Sequence, residues 1–107
     1  MVEPRMAIAC RDRVEIDVAL RMIEKAGIEW STGRKATNPN EMEDINECRL
    51  YIYPPDSFSN KAYLLYDENP DDFEYDEDDD IEWIYLEASE LFKNQIISER
   101  RKYCTAT

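Results

Sequence analysis

Enzymes commonly pair a nucleophile with a base, and this chain has candidate nucleophiles but lacks the commonest base. It contains three cysteines, Cys10, Cys48 and Cys104, and no histidine. That removes Ser-His-Asp and Cys-His catalysis, imidazole proton transfer and most zinc and iron sites. The cysteines are odd in number, far apart and never in a Cys-x-x-Cys pair, so neither a disulfide framework nor a thiolate cluster is expected. Cys10 and Cys48 lie in apolar stretches and read as small core residues with reduced thiols. Cys104, near a polar end, is expected to be exposed. No catalytic residue, cofactor or metal ligand is assigned, and the expectation is a protein that is not an enzyme.

The chemistry that remains is carboxylate. Twenty-five acidic side chains against 13 basic ones give a net charge of −12. Eleven of those acids fall between Asp67 and Glu82, namely Asp67, Glu68, Asp71, Asp72, Glu74, Asp76, Glu77, Asp78, Asp79, Asp80 and Glu82. No Lys or Arg occurs from Ala62 to Phe92. The rest of the chain is therefore close to neutral, and the molecule is polarised. Phe73, Tyr75 and Trp83 are interleaved with the acids, which distinguishes this run from a purely solubilising tail.

Counting from Asp76 as position 1, Asp78, Asp80, Glu82 and Glu87 fall at positions 3, 5, 7 and 12 of the calcium-binding helix-loop-helix pattern. Position 6, where that loop needs a glycine for its sharp turn, is Ile81, and Ile81 to Glu87 alternates like a strand. A specific calcium site is not expected, and weak, diffuse cation binding is all the run implies. A two-metal nuclease is disfavoured too, because the cluster lacks a neighbouring lysine or other base.

The run does compare with nucleic acid. Sixteen largely extended residues span at most about 55 Å, so eleven charges amount to roughly one per 5 Å, against about one per 3.4 Å along each strand of duplex DNA. A protein groove lined with Lys and Arg for binding nucleic acid would attract such a ribbon at long range. Neighbouring aromatic side chains would supply the short-range contacts. The expected partner-binding residues are thus the eleven acids with Phe73, Tyr75 and Trp83, flanked by Tyr66. The expected partner is a protein with a basic nucleic-acid-binding groove, and neither nucleic acid itself nor a membrane is expected to bind directly.

These residues need a scaffold. With 107 residues, 43% of them apolar, the chain can close one core, and a single α+β domain over 1–107 is expected. Met6 to Arg11 reads as a short strand. Asp12 and Glu15 form a capping-box pattern, followed by apolar residues at helical spacing over 13–26, and Gly27 supplies the left-handed stop. The stripe is wide enough to lie on a sheet, leaving Arg13, Asp17, Arg21, Glu24 and Lys25 in solvent.

Glu29 to Gly33 allows a short strand carrying Trp30, and the polar stretch 35–47 reads as an exposed loop around Asn38-Pro39-Asn40. Glu47 to Tyr53 and Lys61 to Asp67 alternate as strands joined by a hairpin loop. Ile81 to Glu87 forms another strand, and Ser89 caps a short helix to about Ile97. The order is β-α-β-β-β-α: a three- or four-stranded, mainly antiparallel sheet with the N-terminal helix on one face and a short C-terminal helix. A basic, flexible end follows at about 98–107. Tyr51, Tyr53, Tyr63, Trp83 and Tyr85 exceed what one helix covers. They are expected to pack under the last helix, over their own sheet, or toward a partner.

The segment Ala26-Gly27-Ile28-Glu29-Trp30-Ser31-Thr32-Gly33 contains Gly-Ile-x-Trp-x-x-Gly. It precedes Tyr-rich strands and a closing stretch, Leu86-Glu87-Ala88-Ser89-Glu90-Leu91. Over about residues 6–93 this outline resembles small acidic accessory proteins of bacteriophages. The resemblance implies an inhibitor of host defence, of the anti-CRISPR or DNA-mimic type, acting in the cytoplasm of a bacterial host; it brings no catalytic residues. The opening Met-Val-Glu-Pro-Arg, without the apolar core of a secretory signal, fits that location. The alternative is a protein-protein interaction module that uses an aromatic sheet face or an edge strand, with the acids only solubilising.

Overall fold

The computed structural model describes residues 2–38, 41–42, 44–70 and 82–104. Eight elements follow along the chain: β1 (Met6–Cys10), α1 (Arg13–Lys25), β2 (Glu29–Trp30), β3 (Cys48–Tyr53), β4 (Tyr63–Asp67), β5 (Ile84–Glu87), α2 (Ala88–Leu91) and α3 (Lys93–Cys104). The five strands form one sheet in the order β2-β4-β3-β1-β5.

The α+β class is as expected, but the sheet is mixed rather than mainly antiparallel. β3 pairs antiparallel with both β1 and β4. The two outer pairs, β1 with β5 and β2 with β4, are parallel. The reason is topological. After β4 the chain crosses to the far side of β1, and a strand arriving there by a return link runs in the same direction as β4 and β1. Alternation within each segment identifies strands but not the neighbour each one chooses.

α1 forms where the capping pattern placed it. The Asp12 side chain accepts from the Glu15 N–H at 2.9 Å, and Glu15 reaches back to the Arg11 N–H at 2.9 Å. Gly27, at φ +81°, takes the chain out of the helix, and the Ile28 N–H returns to the Ile23 carbonyl. Its apolar side packs on Ile8, Cys10, Leu50, Ile52 and Leu64, which point to one face of the sheet and are fully buried.

The closing helical region differs from the expectation of one short helix capped by Ser89. α2 starts at Ala88 with no side-chain cap on its first turn. α3 then runs to Cys104, taking in residues 98–104, which were expected to begin a flexible end. It lies against α1, where Arg100 reaches Asp12 at 2.7 Å and Arg21 reaches Glu99 at 3.0 Å. Both long helices therefore share one side of the sheet.

The 35–47 stretch also departs from an exposed loop. Ala36 and Met42 are buried in the core, and Arg13, expected in solvent, donates to the Met42 and Ile45 carbonyls. Apolar residues scattered singly through a polar run, with neither helical nor strand spacing, are too weak a signal to show this burial.

Candidate docking face

Directly paired residues in a sheet share a face. The pairing therefore places Arg49, Tyr51 and Tyr53 of β3 with Ala7 and Ala9 of β1, Tyr63, Leu65 and Asp67 of β4, and Tyr85 and Glu87 of β5. This is the side away from α1 and α3.

The aromatic side chains on it form a connected row. The Trp83 ring stands edge-on to Tyr51 and to Tyr53, with centroids 5.0 and 4.9 Å apart. Tyr53 stacks on Tyr63 at 5.1 Å with the rings 7° from parallel. Phe58, in the link between β3 and β4, continues the row at 5.4 Å from Tyr63. Such edge-on and offset pairs add about 0.5–1.5 kcal/mol each beyond area burial. Of the arrangements open to these aromatics, the structure thus shows packing over their own sheet; the last helix is on the opposite side.

Two features hold the ends of this row. At one end, the Asp56 carboxylate accepts from the Phe58 and Ser59 N–H groups at 2.8 and 3.1 Å and from the Tyr63 hydroxyl at 2.7 Å. The Tyr63 bond, followed by the two backbone bonds, holds the Asp56 carboxyl below its ordinary value. The loop is thereby ordered while Phe58 stays 70% exposed.

At the other end is Arg49, a cation with only 3% exposure. Its Nε donates to the Pro70 carbonyl at 3.0 Å, its Nη2 donates to the same oxygen, and its guanidinium lies 4.9 Å from the centre of the Tyr85 ring. Hydrogen bonding and aromatic contact together offset part of the cost of burying the charge.

The acidic run is joined to this face at both ends. Asp67 is the register partner of Arg49, and its side chain accepts from the Asn69 N–H at 3.0 Å. Glu68 is exposed, and Pro70, two residues on, is buried against Arg49. Where the description resumes, Glu82 is exposed and Trp83 enters the aromatic row. The remaining expected contact residues, Asp71, Asp72, Phe73, Glu74, Tyr75, Asp76, Glu77, Asp78, Asp79 and Asp80, lie outside the described residues, as does Ile81 at the position that breaks the calcium pattern.

Tyr66 is corrected. It points to the helix side, where its ring meets Trp30 edge-on at 5.8 Å, so it does not flank the run on the aromatic face. Arg49, Asp56 and Phe58 were missed as contributors. Arg49 did carry a signal, since it shares the alternation of Tyr51 and Tyr53.

Among the described residues no group of three or more Cys, Asp or Glu side chains could hold a metal ion, and no helix is long and apolar enough to cross a membrane. A groove of about 340 Å³ between α1 and α3, lined by Arg21, Lys25, Ser98, Glu99 and Lys102, lies on the opposite side from the aromatic row. Compared with known protein families, curated proteins and solved structures, the chain matches none.

Proposed function

We propose that the chain is a non-catalytic inhibitor, of the kind bacteriophages use against host defence, whose acidic run and aromatic face occupy a basic nucleic-acid-binding groove on another protein. One observation carries this reading: the most acidic segment of the chain leaves and rejoins the fold on the aromatic side, opposite α1 and α3, gripped by the buried Arg49 at Pro70 and by Trp83 against Tyr51 and Tyr53. Crowding eleven acids into sixteen positions opposes folding by self-repulsion, which a cationic surface relieves on contact. Charge then brings the partner in, and the aromatic side chains beside it supply contacts of hot-spot type.

The test is the salt dependence of binding. Partners captured from bacterial lysate at low salt are identified by mass, and affinity is measured for the native chain and for the fourfold variant Asp76→Asn, Asp78→Asn, Asp79→Asn, Asp80→Asn. Binding that falls steeply with salt and is abolished in the variant is the expected result. Full affinity in the variant overturns the reading.

A second reading rests on Phe58 and the aromatic row: a protein-protein interaction module in which the acids only keep the surface solvated. Under it, Tyr51→Ala or Tyr63→Ala weakens binding while salt has little effect.

A further inference from the structure

Strand pairing sets Cys10 of β1 directly opposite Cys48 of β3, although they are 38 positions apart in the chain. Both point to the helix side, both are fully buried, and both are free thiols. Directly opposed residues of antiparallel strands have Cα atoms about 4.5–5.5 Å apart, inside the range of about 4.4–6.8 Å that a disulfide spans. Contact with the Cys48 thiol and burial push the Cys10 pKa well up, so the closed pair is inert and the attacking thiolate forms only when the strands part and water reaches the sulfur. The Cys10 Sγ also donates to the Ile8 carbonyl at 3.9 Å.

We propose that Cys10 and Cys48 form a redox-active pair that closes to an intramolecular disulfide on reaction with hydrogen peroxide. One thiolate attacks the peroxide oxygen, forming an S–O bond as the O–O bond breaks, and the departing hydroxide takes up a proton to become water. The second sulfur then attacks the first, the S–S bond forms, the S–O bond breaks, and a second water leaves with the remaining proton. Two thiols lose two electrons in total and one peroxide gains them.

A small oxidant suits a pair with no exposed surface, because a minor parting of the strands admits it. A bulky disulfide such as oxidised glutathione must wait for a larger opening and reacts more slowly. Closure ties β1 to β3 one residue before Arg49, the residue that grips Pro70. This inference is independent of the proposed inhibitory function.

The experiment uses the full native chain. It is treated with hydrogen peroxide or with oxidised glutathione, unfolded, alkylated and digested with trypsin. The cleavage pattern puts Cys10 in peptide 6–11 and Cys48 in peptide 36–49. The expected product of peroxide treatment joins these two peptides, is lighter by two hydrogens than their sum and is split by dithiothreitol, while Cys104 is outside the link. Cys48→Ala eliminates that product. Alkylation of both Cys10 and Cys48 after peroxide treatment, added oxygen on either without a link, or a link through Cys104 overturns the pair. Formation with glutathione but not with peroxide overturns the assignment of a small oxidant.

Discussion

Along β3, Cys48, Leu50 and Ile52 face α1 and are fully buried, while the interleaved Arg49, Tyr51 and Tyr53 face the opposite side, away from α1 and α3. The same contrast runs across the sheet. Ile8 and Leu64 bury small aliphatic volume beneath two helices, whereas Tyr63, Trp83 and Tyr85 give a row of polar-tipped rings beside a cation and the ends of an acidic run. Stability is concentrated on the helix side, where apolar area leaves water completely. On the other side Tyr51, Tyr53 and Trp83 are half-buried and Tyr85 is exposed, while Tyr63 is buried with its hydroxyl on Asp56; aromatic side chains of this kind are enriched at protein interfaces. Substitutions on the two faces should therefore fail in different assays.

The largest effect is expected on the helix side. Leu50→Ala, in the central antiparallel pair, leaves a cavity under α1 and should cost about 3–4 kcal/mol in urea unfolding, with partner affinity unchanged where the protein is still folded. A loss of affinity with no loss of stability would erase the distinction between the faces.

Next comes Arg49→Met, which removes a buried cation together with its bonds to Pro70. A loss of about 2 kcal/mol is expected, and it should be accompanied by faster amide exchange at Asn69 and Glu68, next to the anchored Pro70. Unchanged exchange there would show that Arg49 does not anchor the run.

Smaller still is Phe58→Ala. The side chain is 70% exposed and touches the row through Tyr63 alone among its ring contacts, so unfolding should move by only about 0.5–1 kcal/mol. Dissociation of a bound partner should nonetheless be several-fold faster if the ordered loop presents Phe58 as an anchor.

The smallest effect concerns pH and belongs to the helix side. Partial burial raises the Asp12 carboxyl, but the Glu15 N–H and the Arg100 guanidinium outweigh it, and its pKa is lowered in the folded state. Glu99 is likewise lowered, by Arg21 first. A depressed folded pKa stabilises above the unfolded value, about 3.9 for Asp and 4.3 for Glu, and that contribution is lost as pH falls through the lower folded value. The contact of α3 with α1 should loosen in that acid window, seen as a change in helix signal that Arg100→Gln reduces. These groups are largely solvated, so the effect is screened and modest.

Much of this contrast was legible in the residues. Alternation in 47–53 separated Leu50 and Ile52 from Tyr51 and Tyr53, and the Asp12 and Gly27 signals bounded α1 closely. Those signals are local and need no tertiary partner. Strand neighbours are another matter: nothing in Ile84 to Glu87 says that it pairs parallel with β1 and not beside β4, because side-chain alternation reads the same in either direction. The pairing of Cys10 with Cys48 was hidden for the same reason, being a property of register. Met42 was obscured by its polar surroundings, and Tyr66 was read as a flank of the run through sequence proximity, when its parity on β4 puts it with Trp30.

The place of β1 in the sheet has a consequence for how the chain is made. β1 leaves the ribosome long before one of its two neighbours, β5, which begins at Ile84. Until that residue has been synthesised, the nascent protein carries an open backbone ladder along a fully buried apolar strand, and pairing must span almost eighty positions, which is slow. Productive folding is thus postponed until after the acidic segment has emerged. The charge on that segment discourages two unfinished copies from sharing the vacant edge.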